Sequence, residues 1–300
     1  MAGVWAIVAD RAVQSLRVQS ASWRKLINIE RSPAVIRELW SLAGLIFVTF
    51  GSSDENGDTL TMNEIQTLDP QPVGFPLQRW TPRPRPPMNA MIGRSCRVEP
   101  LDVDKHASDL YEANLDDSTG QNWTYLPAEP FESLKAYSAW LTTVSAAADV
   151  LFHAIVDQAT GRAIGVAAYL RIDPANGVIE VGHLNFSPRL QRRIAATEAM
   201  FLMMKRAFDE LGYRRYEWKC DSLNGPSRRA AERLGFQFEG IFRQAVVYKG
   251  RNRDTAWFSI IDREWPALKS AFDQWLNPAN FDESGQQKVR LSELTGRKST

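Results

Sequence analysis

The sequence has few residues of the kinds that build metal sites and disulfide frameworks. Its 300 residues include only two cysteines, Cys96 and Cys220, and three widely separated histidines, His106, His153 and His183. Two cysteines give no disulfide framework, and the spacing of cysteine and histidine matches no zinc site. We therefore expect no metal ion and a reducing compartment, the cytoplasm.

The chain also has neither a large net charge nor a long apolar run. Lys and Arg together number 36 and Asp and Glu 35, so the net charge is +1 and no overall positive field predicts nucleic-acid binding. The longest apolar run, residues 39–50, is shorter than the roughly 20 residues of a spanning helix. It also lies too far into the chain for a secretory signal. We expect neither a nucleic-acid nor a membrane partner. The basic residues 1–37 leave a mitochondrial transit segment open as the alternative to the cytoplasm.

Composition divides the chain into four segments. They are an N-terminal extension expected to be disordered or poorly packed, a proline-rich strap or linker, a compact domain and a polar tail expected to be disordered: 1–61, 62–92, 93–276 and 277–300. The proline-rich segment is expected to be extended. Its apolar members Phe75, Leu77 and Trp80 favour a strap on the domain surface.

The compact domain alternates between strand and helix patterns. Period-two alternation and turn residues predict strands at 94–100, 150–157, 163–173, 178–186, 214–221, 236–248 and 255–261. Apolar residues at helical spacing predict helices at 102–114, 131–146, 197–211, 226–234 and 265–276. Hairpins dominate, with one strand–helix–strand crossover at 178–221. This order predicts an α+β fold, a mostly antiparallel sheet flanked by helices.

The crossover itself predicts an anion site. Its strand ends at Ser187-Pro188, a short basic loop follows, and a helix begins near Thr197. The first N–H groups of a helix have no partner inside the helix, and Arg192 and Arg193 add positive charge beside them. A solvated basic turn is the alternative interpretation.

Four segments, in order and at matching spacing, resemble a known family. They are Ile179-Glu180-Val181-Gly182-His183, Gln191 to Ala196 with Thr197-Glu198-Ala199, Ala207 to Tyr213, and Asn224-Gly225-Pro226-Ser227 followed by Arg233-Leu234-Gly235-Phe236. Together they resemble the GNAT acyl-CoA-dependent N-acyltransferases, in particular the ribosomal-protein alanine N-acetyltransferase branch. The resemblance covers about residues 93–263 and implies a mixed sheet in which two central strands splay apart.

The resemblance also implies the co-substrate acetyl-CoA and the residues that would bind it. These are Asn185, Phe186, Gln191, Arg192, Arg193, Ile194, Ala195, Ala196, Thr197, Asn224 and Ser227. Pantetheine would lie between the strand end near 184–187 and the strand 214–221, and pyrophosphate on the N–H groups of 192–197. Ile194 departs from the family pattern, which has glycine there. Glycine permits positive φ and close approach of a ligand, so Ile194 implies a different loop path or weaker binding.

Catalytic roles follow from the same resemblance. Glu180 matches a carboxylate that some members use as general base, and His183 is the alternative base. Because the two are three residues apart on one strand, we expect them on opposite faces of the sheet. Ser227 is the expected proton donor to the leaving thiolate, although it and Asn224 could instead cap a helix. The position of the tyrosine acid of many relatives is occupied by Ala231. A backbone N–H near Asn185 is the expected oxyanion donor.

Four aromatic residues are candidates for the acceptor pocket, with core packing as the alternative: Trp123, Tyr125, Phe131 and Trp218. The predicted function is transfer of an acetyl group to a primary amine of a small molecule or peptide by direct attack in a ternary complex. The alternative is a degenerate acyl-CoA-binding module without turnover. The expected assembly is a monomer or homodimer.

Overall fold

The computed structural model describes residues 71–296, and a compact unit begins at Pro76. Of the preceding unit, only the extended residues 71–75 are described, so the prediction for 1–61 lies outside the described residues. The strands are β1 (Met91–Ile92), β2 (Cys96–Pro100), β3 (Leu151–Asp157), β4 (Ala163–Asp173), β5 (Val178–Phe186), β6 (Arg215–Asp221), β7 (Gln237–Tyr248) and β8 (Arg251–Ile261). The helices are α1 (Val103–Asn114), α2 (Leu134–Ser145), α3 (Ile194–Lys205), α4 (Gly225–Arg233), α5 (Trp265–Leu276) and α6 (Leu291–Leu294).

The eight strands form one mixed sheet in the order β1-β2-β3-β4-β5-β6-β8-β7. Only β5 and β6 pair in parallel, and α3 connects them, which is the predicted crossover. All seven predicted strands and five predicted helices are present; β4, β5 and α5 have the predicted bounds, the others have shifted ends, and β1 and α6 are additional. The predicted fold class is confirmed.

Two apolar clusters cover different parts of the sheet. On one face, Ile179 and Tyr216 pack in a large cluster that includes the buried residues of α3 and α5. On the other face, α1 and α2 pack over β3 and β4 through Leu110, Leu141 and Phe152. Within residues 71–296, the helices on the second face pack over β3 and β4, and no α-helix of this part of the chain covers the same face across β5, β6 and β8.

A bulge in β5 changes which face its side chains point to. Asn185 pairs with Val166, whereas Gly182 pairs with Ala168, so β5 holds one residue more than β4 over this interval. His183 lies within the interval and has φ of 49°, in the left-handed region. An extra residue interrupts the strict alternation of a strand. Side chains on the two sides of the bulge therefore do not follow a simple even–odd rule.

Helix α3 is anchored to the first hairpin by a buried carboxylate. Glu198 accepts the backbone N–H groups of Arg94 (2.8 Å), Ser95 (2.6 Å) and Cys96 (3.0 Å). Its side chain lies in the second turn of α3 and is buried. Because bonds to an ionised acceptor are the stronger kind, this contact fixes α3 relative to β1 and β2.

Residues 76–90 run without regular structure along the end of the β4–β5 hairpin. The Trp80 indole N–H donates to the carbonyl of Ala175 (2.8 Å), and the Arg83 N–H donates to the carbonyl of Pro174 (2.9 Å). The Trp80 ring covers Gly177, where a Cβ would lie 2.5 Å from the ring. Leu77, which favoured a strap, is exposed.

The expectation that the chain is disordered beyond residue 276 is wrong for residues 277–296. This segment folds back on α5, where the Trp275 indole donates to Gln287 (2.8 Å) and its ring contacts Phe281 edge-to-face at 5.2 Å. The Asn280 side chain bonds the backbone of Val289 in both directions, and Leu291 is fully buried. These few anchoring residues cannot be recognised from the mostly polar composition of the segment.

Candidate active site

The parallel ladder between β5 and β6 stops before either strand ends. The last paired residues are Val181 and Trp218, yet β5 continues to Phe186 and β6 to Asp221. Over the same stretch β6 stays paired with β8, as far as Asp221. The two central strands therefore separate and leave an opening with an unpaired backbone edge.

The alternation of the β4–β5 ladder determines which backbone groups face this opening. The Ser187 N–H donates to the carbonyl of Ile164 (3.3 Å), so the backbone groups of Asn185, two residues earlier, also point towards β4. Those of Phe186 point the other way, and its carbonyl accepts from the Gln191 side chain (2.8 Å). Phe186 rather than Asn185 thus presents backbone groups to the opening.

The basic loop leads into α3 beside the opening. Arg192 has φ of 61°, and Arg193 is the extended residue just before the helix, without a side-chain cap. Both arginines are exposed, and neither pairs with a carboxylate among residues 71–296. Ile194 is the first helical residue and packs half-buried against the core. The left-handed conformation is therefore at Arg192, and Ile194 carries no strain of the kind that its β-branched side chain suggested.

The remaining predicted loop residues contribute through the backbone. The side chains of Ala195 and Thr197 are buried, and the Thr197 hydroxyl accepts from Arg233 (3.0 Å). Ala196 is half-buried, and the Gln191 amide bonds Asn122 (2.7 Å) as well as Phe186. The N–H of Arg193 donates to the Leu190 carbonyl and that of Ala196 to the Arg193 carbonyl, both at 3.2 Å. What this segment offers a ligand is the N–H groups of Ile194 and Ala195 and the two exposed arginines.

Glu180 lies on the helix-free face beside the opening and is held by two cations. Its Oε1 is 2.7 Å from Arg171 Nη1, and its Oε2 is 2.8 Å from Lys219 Nζ. Lys219 also lies 2.8 Å from Glu217, which pairs directly opposite Glu180 in the ladder, and over the Trp257 ring at 3.7 Å. Both carboxylate oxygens of Glu180 are therefore occupied by ion pairs with side chains of β4 and β6.

His183 lies on the same face as Glu180, so the expectation that they face opposite sides is wrong. The His183 ring is 5.0 Å from the ring of Phe152, which belongs to the cluster under α1 and α2. A Cβ on Gly182 would lie 3.6 Å from Glu180 Oε1 and in contact with Leu170, which places Glu180 on that face too. The bulge at His183 brings the two together. Burial, reinforced by the charge of Arg171, lowers the pKa of His183 below its ordinary value.

The turn after β6 places Ser227 against the indole of Trp218. The Asn224 carboxamide caps α4 by accepting the Ser227 N–H (3.0 Å), which is the capping role foreseen as the alternative. The Ser227 hydroxyl accepts from the Trp218 indole N–H (3.0 Å). Burial raises the pKa of the Cys220 thiol, and a hydrogen bond from Ser227 to that thiol opposes the shift. Trp218 packs on Phe236 in the large cluster and therefore does not line an acceptor pocket on the other face.

The other predicted pocket residues, Trp123, Tyr125 and Phe131, do not line the small cavity of this region. Trp123 is buried and contacts Phe131 edge-to-face at 5.5 Å, and the Tyr125 hydroxyl donates to the carbonyl of Leu223. The cavity in front of them is lined by Tyr137, Trp140, Phe152, His183 and Asn185 among others. None of Tyr137, Trp140 and Phe152 was predicted from the sequence as a pocket residue, because the apolar patterns of α2 and β3 do not distinguish a pocket residue from a core residue.

Comparison with known proteins identifies the family. A family model described as Acetyltransferase (GNAT) domain matches residues 97–237. The crystal structure of a GCN5-related N-acetyltransferase from Brucella melitensis is 54% identical, with a TM-score of 0.72, and the match covers 73% of this chain and 100% of that one. The chain belongs to the GNAT family. This match confirms the family that the motifs resemble, and it confirms the predicted fold.

Two curated relatives are less similar. The protein named "Uncharacterized N-acetyltransferase p20" of Bacillus licheniformis is 32% identical over 111 residues, 37% of this chain and 62% of p20. The Bacillus subtilis protein YdaF, whose name includes "ribosomal N-acetyltransferase", is 28% identical over 109 residues, 36% of this chain and 59% of YdaF. The match thus spans about three fifths of the length of these relatives.

Two absences apply to the part of this GNAT protein from 71 to 296. No helix there is long and apolar enough to cross a membrane. The same residues contain no group of three or more His, Cys, Asp or Glu side chains placed to hold a metal ion.

Proposed function

We propose that this GNAT protein transfers an acetyl group from acetyl-CoA directly to a primary amine of a small molecule or peptide. The observation that carries the proposal is the opening between β5 and β6, which ends at the α3 N-terminus with its two exposed arginines. On one side of the opening lies His183, and on the other lies Ser227. A proton acceptor and a hydrogen-bond donor thus flank the same gap.

The residues at the opening fit acetyl-CoA. The unpaired edge near Phe186 offers backbone groups to an extended pantetheine arm, as a strand would pair with it. The free N–H groups at the start of α3, with Arg192 and Arg193, suit a pyrophosphate. Acetyl-CoA would supply the acetyl group as an activated thioester. Gln191 would have to share or release its bond to the Phe186 carbonyl when the arm binds.

His183 is the better proton acceptor of the two candidates. Its pKa is lowered, so the imidazole is neutral at neutral pH, and neither ring nitrogen makes a hydrogen bond within the described residues. Glu180, by contrast, has both oxygens engaged by Arg171 and Lys219. The amine lone pair attacks the thioester carbon, the C–N bond forms as the C–S bond breaks, and the ammonium proton passes to His183.

Ser227 completes the transfer at the other end. Its hydroxyl accepts from Trp218 and can donate a hydrogen bond that stabilises the thiolate as the C–S bond breaks. The thiolate then takes a proton from solvent, and His183 returns its proton to solvent. A backbone N–H at the unpaired edge of β5, beside Asn185, would stabilise the negative charge that develops on the carbonyl oxygen. The reaction therefore needs no metal-bound group from these residues. The two buried free thiols, Cys96 and Cys220, fit a reducing cytoplasm.

Calorimetry with acetyl-CoA tests the binding part of the proposal. Replacing both arginines, Arg192→Glu with Arg193→Glu, should weaken acetyl-CoA binding by roughly 100-fold or more at low salt, because two charge-assisted contacts become repulsive. The matched control is Arg263→Glu with Arg290→Glu, which changes the net charge equally at exposed positions outside the site. Equal affinities of the two variants would mean that the phosphates bind elsewhere.

Release of coenzyme A across a panel of primary amines tests the transfer itself. The expected result is amine-dependent release that is lost in His183→Gln. Tight acetyl-CoA binding with no release from any amine would favour the degenerate acyl-CoA-binding module instead. A peptide with a free N-terminus belongs in the panel because one relative carries the ribosomal N-acetyltransferase name.

A further inference from the structure

A small cavity that is not fully enclosed lies between α2 and β5 beside the opening. Its volume is about 20 Å³, room for roughly one water molecule or a group of one or two heavy atoms. Trp140, Phe152 and Val166 form apolar walls, and His183 lies at its side. Because His183 is the proposed proton acceptor, whatever fills the cavity lies next to the amine that reacts.

Two polar side chains of this cavity are buried without a partner. Asn185 is only 5% exposed, and both its carboxamide oxygen and its nitrogen lack a hydrogen bond within the described part of the chain. The hydroxyl of Tyr137, whose side chain is 1% exposed, is likewise unpaired there. A buried polar group without a partner is unfavourable, so a native structure rarely keeps several around one cavity without an occupant.

The cavity also carries no charged side chain. None of the residues that line it is Asp, Glu, Lys or Arg. A carboxylate or ammonium group placed there would lose its hydration without gaining an opposite charge. An alkyl group would leave Asn185 and Tyr137 unpaired. The chemistry that fits is small, uncharged and able both to donate and to accept a hydrogen bond, which is a hydroxyl group.

We infer that this cavity is a specificity subsite for a hydroxyl group carried by the amine acceptor, with Asn185 as its main hydrogen-bond partner. The acceptor class is therefore a primary amine with a hydroxyl on the neighbouring carbon, an amino alcohol. The inference rests on the proposed transfer to an amine. Tyr137 bonds the same hydroxyl from α2, and the aromatic walls exclude a second charge.

A set of four amines of nearly equal size tests the inference. They are 2-aminoethanol, propylamine, 1,2-diaminoethane and glycine, each assayed for coenzyme A release at saturating acetyl-CoA. The wild-type protein should use 2-aminoethanol with a kcat/KM roughly 10-fold or more above the other three. Equal values for 2-aminoethanol and propylamine would overturn the inference and leave a buried water as the sole occupant. No release from any amine would overturn it together with the proposed function.

Asn185→Leu separates a specificity role from a structural one. This variant should lower kcat/KM for 2-aminoethanol by roughly 10- to 100-fold and kcat/KM for propylamine by a much smaller factor, so that the preference for the hydroxyl is lost. Its melting temperature should equal or exceed that of the wild type, because the substitution removes an unpaired buried amide. Tyr111→Phe, a hydroxyl deletion on the neighbouring helix and outside the cavity, is the control and should leave the preference unchanged. A clear fall in the melting temperature of Asn185→Leu would assign the amide to folding and contradict the inference.

Discussion

The carboxylate of Glu198 is predicted to be one of the strongest single contributions to the stability of the domain. It accepts three backbone N–H groups, at 2.8, 2.6 and 3.0 Å, and is 6% exposed. Glu198→Gln removes the charge and turns one acceptor oxygen into a donor that faces other donors. A bond to a charged group contributes about 1.5–3 kcal/mol, so losing the charge and one or two of the three bonds should cost roughly 3–5 kcal/mol.

Urea unfolding followed by tryptophan fluorescence measures this cost as a change in the free energy of unfolding. The matched control is Glu283→Gln, an exposed carboxylate in the C-terminal segment, which should change that free energy by less than about 0.5 kcal/mol. A loss below about 1 kcal/mol for Glu198→Gln would refute the view that this contact anchors α3. Since α3 carries the proposed phosphate site, the variant should also weaken acetyl-CoA binding at temperatures well below its unfolding transition.

Two further predictions concern the proposed base and the packing of Trp80. His183→Gln should lower kcat by roughly 100- to 10,000-fold. The neutral imidazole must accept the proton, and the pKa of His183 is lowered. The wild-type rate should therefore fall only when the pH is below the ordinary histidine pKa. An unchanged rate and pH profile in His183→Gln would exclude the role. Gly177→Ala should destabilise by roughly 2–4 kcal/mol in urea unfolding, because φ is 62° and a Cβ would meet Trp80 at 2.5 Å. Gly161→Ala is the control, with φ of 70° and no atom within 4 Å, and should cost only about 1 kcal/mol; equal losses would mean that Trp80 does not pack there.

The elements that sequence patterns predicted are those fixed by local chemistry. Alternation in β4 and β5, turn residues such as Gly177, and the apolar spacing of α5 are all readable within a few positions. The order of hairpins and one crossover then constrains the sheet to very few topologies. The predicted anion site rests on the same kind of local pattern, since it depends on a strand, a loop and a helix that are contiguous in the chain.

The residues whose positions were predicted wrongly are placed by backbone details or by contacts between distant parts of the sequence. His183 adopts a positive φ without being glycine, and no periodicity marks such a residue, so the bulge and the face of His183 stayed hidden. The ion pairs around Glu180 join β4, β5 and β6, which only the folded sheet brings together. The role proposed for Asn185 likewise depends on Tyr137, which lies on a helix far away in the sequence.

The C-terminal segment shows that composition alone does not predict whether a short segment is ordered. Its polar residues predicted disorder, yet Phe281 and Leu291 pack, and the Asn280 side chain closes a loop on Val289. A few buried residues are enough to order a short segment when the domain already presents a surface such as Trp275. Sequence averages over such a window cannot detect them.

Initial-rate kinetics test the central claim, direct transfer in a ternary complex, most directly. Coenzyme A release is measured while acetyl-CoA and an accepted amine are both varied, and reciprocal plots are compared. Because no nucleophilic side chain is assigned between thioester and amine, and both thiols are buried, the plots should give intersecting lines. Parallel lines, together with an acetylated protein formed without amine, would contradict the account.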